Sequence, residues 1–153
     1  MGFTIAQDSP ETGDVQDLLE QHFNLMRATS PEESCHVMEP GALLEAGAVL
    51  FALREDGVLL GVGALKEIDP AHAELKSMHT AKAARGRGVA RALLGALVEQ
   101  ARAMGCTQIS LETGTDDLFA AARQLYAANG FVECPPFGDY RLDPLSIYFT
   151  RRL

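Results

Sequence analysis

Met78-His79-Thr80-Ala81-Lys82-Ala83-Ala84-Arg85-Gly86-Arg87-Gly88-Val89-Ala90 is the stretch on which the reading of this chain turns. It has the makeup of a strand end, a glycine-bearing loop and a helix entrance. Glycines let the backbone turn tightly and bring its N–H groups close to an anion, and the helix that follows adds the positive end of its dipole. Arg85, Arg87, Arg91 and Lys82 crowd into the same place in a chain whose formal net charge is −8. A local basic cluster against an acidic background calls for an anionic ligand, and phosphate suits it. A P-loop would need Gly-Lys followed by Ser or Thr, and a dinucleotide fingerprint would need a further glycine in an early strand–helix–strand unit. Neither is present.

Working outward, the apolar positions Val89, Leu93, Leu94, Leu97, Val98, Ala101 and Met104 recur at helical spacing, and Gly105 stands where a C-terminal cap belongs. Thr107 to Thr113 alternates around Ile109 and Leu111, so strand, helix and strand predict a crossover with parallel pairing, whose ligand site lies at the strand ends. Upstream, Ala48 to Arg54 and Val58 to Lys66 flank Glu55-Asp56-Gly57, a hairpin turn, and Ala73 to Thr80 forms the next strand. Three antiparallel strands therefore precede the loop, which speaks against a Rossmann fold. Phe3 to Gln7 is a first strand, and a helix begins near Asp14 with Val15, Leu18, Leu19, His22 and Met26 on one face. Ser30-Pro31-Glu32-Glu33 reads as a capping box opening a second, short helix that Pro40-Gly41 interrupts. Asp116 and Asp117 open a last helix with Leu118, Phe119, Ala122, Leu125 and Tyr126 on its buried side, ended by Asn129-Gly130. Phe131 to Glu133 starts another strand, and Leu145 to Leu153 closes the sheet.

Arg85-x-x-Gly88-x-Ala90 resembles the acyl-coenzyme A signature of the GNAT (GCN5-related N-acetyltransferase) superfamily, in which Arg or Gln is followed at this spacing by Gly and then Gly or Ala. Glu74-Leu75-Lys76-Ser77-Met78-His79-Thr80 is similar to the strand before that loop, and Leu125-Tyr126-Ala127-Ala128-Asn129-Gly130-Phe131 to the family's later Leu-Tyr…Gly-Phe segment. The resemblance implies an α/β fold with a mixed, mostly antiparallel sheet, splayed central parallel strands and flanking helices, as one domain over residues 1–153. It implies acetyl-coenzyme A as co-substrate, with no metal. Backbone groups of Met78 and Thr80, with His79 between them, would meet the pantetheine arm, and the Met78 N–H would polarise the thioester carbonyl. Arg85, Gly86, Arg87, Gly88, Val89 and Ala90 would cradle the pyrophosphate.

Amine acetylation needs a neutral amine and then a proton for the departing thiolate. Glu74 lies six residues before Thr80, where the histone-acetylating branch of the superfamily places its general base. Its alternative is a structural or substrate-binding carboxylate neutralised by Lys76. Tyr126 matches the family tyrosine that faces the coenzyme sulfur and is the candidate general acid, against the reading of a packed helix aromatic. Glu112, at the carboxyl end of its strand, is the second candidate base or an amine anchor. His22 reads more readily as a core histidine than a substrate contact, and His79 as a loop-packing side chain than a proton relay. Cys106 opens a strand, which suits burial rather than nucleophilic catalysis. Where the family often carries a coenzyme-contacting asparagine, this chain has Phe119.

The 153 residues are 47% hydrophobic, enough for one core. No apolar run approaches a membrane span and the Met1 end lacks a basic-then-apolar leader, so a cytoplasmic location is expected. Three cysteines without metal-ligand pairing argue for reduced thiols. The acidic balance argues against a nucleic-acid partner. The acceptor is expected to be a primary amine of a small molecule, with a peptide or protein acceptor, or a coenzyme-binding module without turnover, as the alternatives. Glu32, Glu33, Glu39, Glu45 and Asp139 could form an acidic rim for a polyamine, whereas Arg27, Arg141 and His36 would suit an acceptor bearing a carboxylate. Acceptor choice is expected to lie in Phe23 to Glu45 and in the loop Pro135 to Pro144, and a homodimer through the final strand is expected.

Overall fold

The computed structural model describes residues 2–31 and 35–153. Among them, seven strands form one sheet in the order β1-β2-β3-β4-β5-β7-β6. The chain runs β1 (Thr4–Asp8), α1 (Gly13–Thr29), α2 (Pro40–Glu45), β2 (Val49–Glu55), β3 (Val58–Asp69), β4 (His72–Thr80), α3 (Val89–Ala103), β5 (Gln108–Gly114), α4 (Ala120–Ala128), β6 (Val132–Cys134) and β7 (Ser146–Arg152). Every neighbouring pair is antiparallel except β4 with β5. The parallel pair follows from the α3 crossover, because a tight turn cannot join parallel strands.

Alternation along the strands sorts the two faces. Leu50 and Ala52 of β2 and Val62 and Ala64 of β3 pack on Val15, Leu18, Leu19 and Leu43 from α1 and α2. Leu65, Ala73, Leu75, Ile109, Leu111 and Phe149 point the other way, onto Leu94, Leu97, Val98 and Ala101 of α3 and Tyr126 of α4. Asp56 and Gly57 take φ of +52° and +80° in the β2–β3 turn, the left-handed pair a two-residue hairpin requires. Gly105 follows α3 with φ +86° and Gly130 follows α4 with φ +87°, so both act as the expected helix stops.

α3 approaches β3 closely because glycine leaves room. A Cβ on Gly61 would lie 2.6 Å from Val89 Cγ1, and one on Gly63 would lie 2.5 Å from Met78 Sδ and 2.7 Å from Leu97 Cδ1. Gly63→Val must push α3 or Met78 away. Overpacking of this kind costs about 2–3 kcal/mol, which in a chain of this size lowers the melting temperature by roughly 5–10 °C. Thermal denaturation monitored by circular dichroism checks it, and an unchanged midpoint would mean the contact yields freely.

Three expectations need adjustment. The helix expected from Ser30 falls on Glu32 and Glu33, outside the described residues. Residues 35–39 are not helical, and α2 begins at Pro40. Proline therefore opens this helix rather than interrupting a preceding one, since the first turn has no use for its missing N–H. The final strand is not at the sheet margin: β7 pairs with β5 on one side and β6 on the other. Its inner edge is paired throughout with β5, and its outer edge is covered by β6 from Tyr148 to Thr150. The helix after Asp116 starts with a 3-10 turn, Asp117–Phe119, whose first N–H groups the Asp116 carboxylate helps to satisfy by accepting from Leu118 at 2.9 Å.

Candidate active site

β4 and β5 run together only as far as Leu75 and Leu111, after which no pairing joins Lys76–Thr80 to Glu112–Gly114. The strands part there, and a cavity of about 550 Å³ occupies the fork. A β-bulge sits at the same level. Val62 faces His79 and Ala64 faces Lys76, so Ser77 and Met78 together oppose the single residue Gly63. Ser77 carries φ +56°, a conformation that costs a non-glycine residue about 1–3 kcal/mol and is tolerated mostly at functional sites. An extra residue in a bulge leaves backbone groups out of the ladder, available to a ligand. The bulge also inverts the alternation. Met78 turns onto Gly63 and Leu97 on the α3 side, and His79 turns to the α1 side, where its Nδ1 lies 3.0 Å from Nδ1 of His22. Two imidazole nitrogens at that distance share one hydrogen. Burial lowers both pKa values, that of His22 to about 3, with the neighbouring His79 and Lys76 adding to the effect on His22 and Arg85 to that on His79. The pair is accordingly neutral near pH 7.

One end of the cavity is the phosphate loop. Gly86 and Gly88 take φ of +79° and +81°, and Gly88 is the N-cap of α3 without any side-chain cap. The first N–H groups of a fifteen-residue helix are thus left to a ligand. Arg85, Gly86, Gly88, Val89 and Ala90 line the cavity, joined by Arg91. Arg87 does not line it. Its guanidinium bonds both Glu55 oxygens at 2.7 and 2.8 Å and lies 5.7 Å above the Phe3 ring, so its side chain braces the loop on the β2–β3 hairpin. Thr80, His79 and Met78 form the wall leading inward. The helix N-terminus, free of any side-chain cap and with Arg85 and Arg91 beside it, fits a coenzyme pyrophosphate.

At the fork, on the face that carries α1, lies a buried polar network. Glu74 is 5% exposed; its Oε2 accepts from the Tyr140 hydroxyl and from Lys76 Nζ at 3.2 Å. Lys76 Nζ also donates to the Tyr140 oxygen at 3.1 Å and to the His36 carbonyl at 3.4 Å. Glu112, one residue past the last β4–β5 pair, accepts from the Ser146 hydroxyl at 2.8 Å. Burial raises its pKa above the ordinary carboxylate value, against the lowering by Ser146, His36 and Lys76. Glu74 lies one register step behind it, opposite Ser110. The two carboxylates share a face because Glu74 and Lys76 are two apart on β4, as are Ser110 and Glu112 on β5.

Tyr126 reaches the cavity from the opposite face, from α4. Its ring is held by Phe131 and Phe149 at centroid distances of 5.8 and 6.3 Å, and burial raises its pKa, so the phenol keeps its proton. Phe119 also lines the cavity. Its ring packs against Gly114, where a Cβ would come within 2.5 Å of it, and it presents an apolar surface in place of an amide. Cys106 is outside the lining, buried, with its pKa raised by burial. Among the described residues no cluster of His, Cys, Asp and Glu could hold a metal, and no helix is long and apolar enough to cross a membrane.

The sequence-predicted Glu74, Met78, His79, Thr80, Glu112 and Tyr126 thus meet at one cavity. Lys76 meets Glu74, as the alternative reading of that carboxylate had it; Tyr140, which closes on the same pair, was missed. Tyr140 sits in an irregular loop with no periodicity to mark a direction, and only the family resemblance, through the loop Pro135 to Pro144, pointed to the acceptor side.

The model of the acetyltransferase (GNAT) family matches residues 14–131. An uncharacterized N-acetyltransferase of Escherichia coli K12, YedL, is 40% identical over 99% of this chain and 95% of its own length. The IAA acetyltransferase of Azospirillum brasilense is 33% identical over 98% of this chain and 97% of its own. A GNAT family acetyltransferase from Elizabethkingia anophelis, solved with acetyl-CoA bound, superposes with a TM-score of 0.73 over 99% of this chain and 98% of that one, at 18% identity, a likeness of fold.

Proposed function

Since this chain belongs to the acetyltransferase (GNAT) family, we propose that it transfers the acetyl group of acetyl-coenzyme A directly to a primary amine of a small molecule. The observation that carries the reading is the fork: a phosphate-binding helix entrance and a set of acid–base groups open onto one cavity from its two ends. Bound acetyl-coenzyme A supplies the activated acetyl thioester. The chain's own residues hold and deprotonate the amine on the α1 face and return a proton from the α4 face.

Of the two carboxylates, Glu112 has the geometry and basicity of a general base. It stands at the fork itself, and its raised pKa brings it toward neutral pH, where proton transfer is most effective. Glu74 has one oxygen occupied by Lys76 and Tyr140, so its role is to position the network and offer its other oxygen to the incoming ammonium. Glu112 takes the first proton of the bound ammonium and passes it to solvent, which frees the nitrogen lone pair. The nitrogen then forms the N–C bond and gives its second proton to Glu112. The C–S bond breaks, and Tyr126 gives the sulfur its phenolic proton. The proton held by Glu112 restores Tyr126 through solvent, so the products are the acetamide and the free thiol. The backbone around the Ser77–Met78 bulge supplies an N–H for the carbonyl oxygen.

The test is thiol release from acetyl-coenzyme A with purified protein, started by adding amine. Amine-dependent release with stoichiometric acetamide by mass spectrometry is the expected result. Coenzyme binding with no release on any amine would replace the enzyme by a binding module.

A further inference from the structure

We infer that the acceptor is a primary monoamine on an apolar, ring-bearing body without a carboxylate, excluding amino acids and disfavouring polyamines. The inference rests on the acetyl-transfer reading and concerns the acceptor end of the same cavity.

The first observation is how completely Lys76 is committed. An ammonium has three N–H donors, and Lys76 aims at three oxygens: the His36 carbonyl, Glu74 Oε2 and the Tyr140 hydroxyl. None is left for a carboxylate on the acceptor. The other cations that line the cavity, Arg85 and Arg91, stand at the phosphate loop, where the coenzyme would take them. Among the described residues the acceptor end therefore has no free cation. An amino acid would bury its carboxylate there with no cation of Lys or Arg to pair with, which costs more than its other contacts return.

The second observation is the count of acids. Among the described residues at this end of the cavity, Glu74 and Glu112 oppose one lysine, leaving a single uncompensated negative charge. That charge matches one ammonium. A polyamine would bring a second cation into a wall made of Leu25, Met26, Val37 and Leu145, where no described residue would neutralise it. Of the acidic side chains considered as a polyamine rim, Glu39, Glu45 and Asp139 are absent from the cavity lining, and Glu32 and Glu33 lie outside the described residues.

The third is the shape of the wall. The Tyr140 and His36 rings meet edge to face with centroids 5.0 Å apart, and both line the cavity. The Nε2 of His36 is buried without a partner, so one polar atom on the acceptor's ring has somewhere to bond. Aromatic groups of this kind favour a flat apolar body over a flexible cationic chain.

The experiment compares thiol release with 2-phenylethylamine, L-phenylalanine and spermidine. L-Phenylalanine differs from the first by a carboxylate alone, and spermidine by its body and charge. The expected kcat/KM for 2-phenylethylamine exceeds that for L-phenylalanine by about 100-fold or more and that for spermidine by about 10-fold or more, in the range that unpaired buried charge gives. Val37→Glu should narrow the spermidine ratio by adding the missing anion. Comparable rates with L-phenylalanine, or a preference for spermidine, would overturn the inference while leaving acetyl transfer intact. Release with none of the three, in protein that binds acetyl-coenzyme A and releases no thiol on a broad amine panel, would remove both.

Discussion

Tyr126→Phe is expected to lower kcat about 100-fold, the scale of a positioned general acid, while the affinity for acetyl-coenzyme A changes less than about threefold, since no new cavity or charge is made. The argument combines place and protonation. Tyr126 lines the cavity from α4, opposite the carboxylates, and Phe131 and Phe149 hold its ring. Burial keeps the phenol protonated, the state an acid must start from. The substitution deletes one oxygen and leaves the ring packing, so folding is preserved. The decisive readout is turnover with a thioester whose thiolate leaves more readily: the deficit should shrink as the leaving group needs less protonation. A variant with full turnover on acetyl-coenzyme A would return Tyr126 to the role of a packed aromatic.

Glu112→Gln is expected to cost about 100-fold in kcat/KM and to abolish the acid limb of the pH profile. The sign follows from the direction of the shift. A base works only when deprotonated, and burial raises the pKa of Glu112, so wild-type activity climbs with pH through a midpoint above the usual carboxylate range and falls as the group is protonated below it. Glutamine cannot titrate, and the climb disappears. Glu74→Gln should behave differently. It loosens the Lys76 and Tyr140 contacts, raising KM for the amine and lowering stability, but it keeps the limb. If the limb vanishes in Glu74→Gln and survives in Glu112→Gln, the base is Glu74, as the count from Thr80 along the strand first suggested. Both profiles come from steady-state thiol release between pH 5 and 9, and thermal midpoints separate lost chemistry from lost fold.

Much of the architecture was legible because it rests on local rules. Asp56-Gly57 could hardly be anything but a tight turn, and Gly105 and Gly130 stop helices through positive φ. The repeat of apolar positions from Val89 to Ala101 marks a helix buried along one side. Met78 to Ala90 named the phosphate end, since glycine conformation and helix polarity are properties of the segment itself. The parallel crossover followed from these, whereas the family and the fold it carries came from the resemblance of Arg85-x-x-Gly88-x-Ala90 and its flanking segments to the GNAT signature.

Other features depended on partners far along the chain. Ser77 has no local reason to be left-handed; the bulge arises from how β4 meets Gly63 and α3, and it alone turns His79 toward His22. Arg87, expected at the pyrophosphate, is captured by Glu55 on a hairpin thirty-two residues away. Glu74 read either as a base or as a carboxylate neutralised by Lys76, and Tyr140, sixty-six residues on, closes on the same oxygen that Lys76 occupies. The sequence by itself determined which segments bend, coil and pair, and where an anion can sit, because those follow from φ preference, hydrophobic period and backbone polarity. Only the tertiary structure decided which charges are spent on each other and which remain for a substrate, because hydrogen bonding and desolvation are settled by neighbours in space.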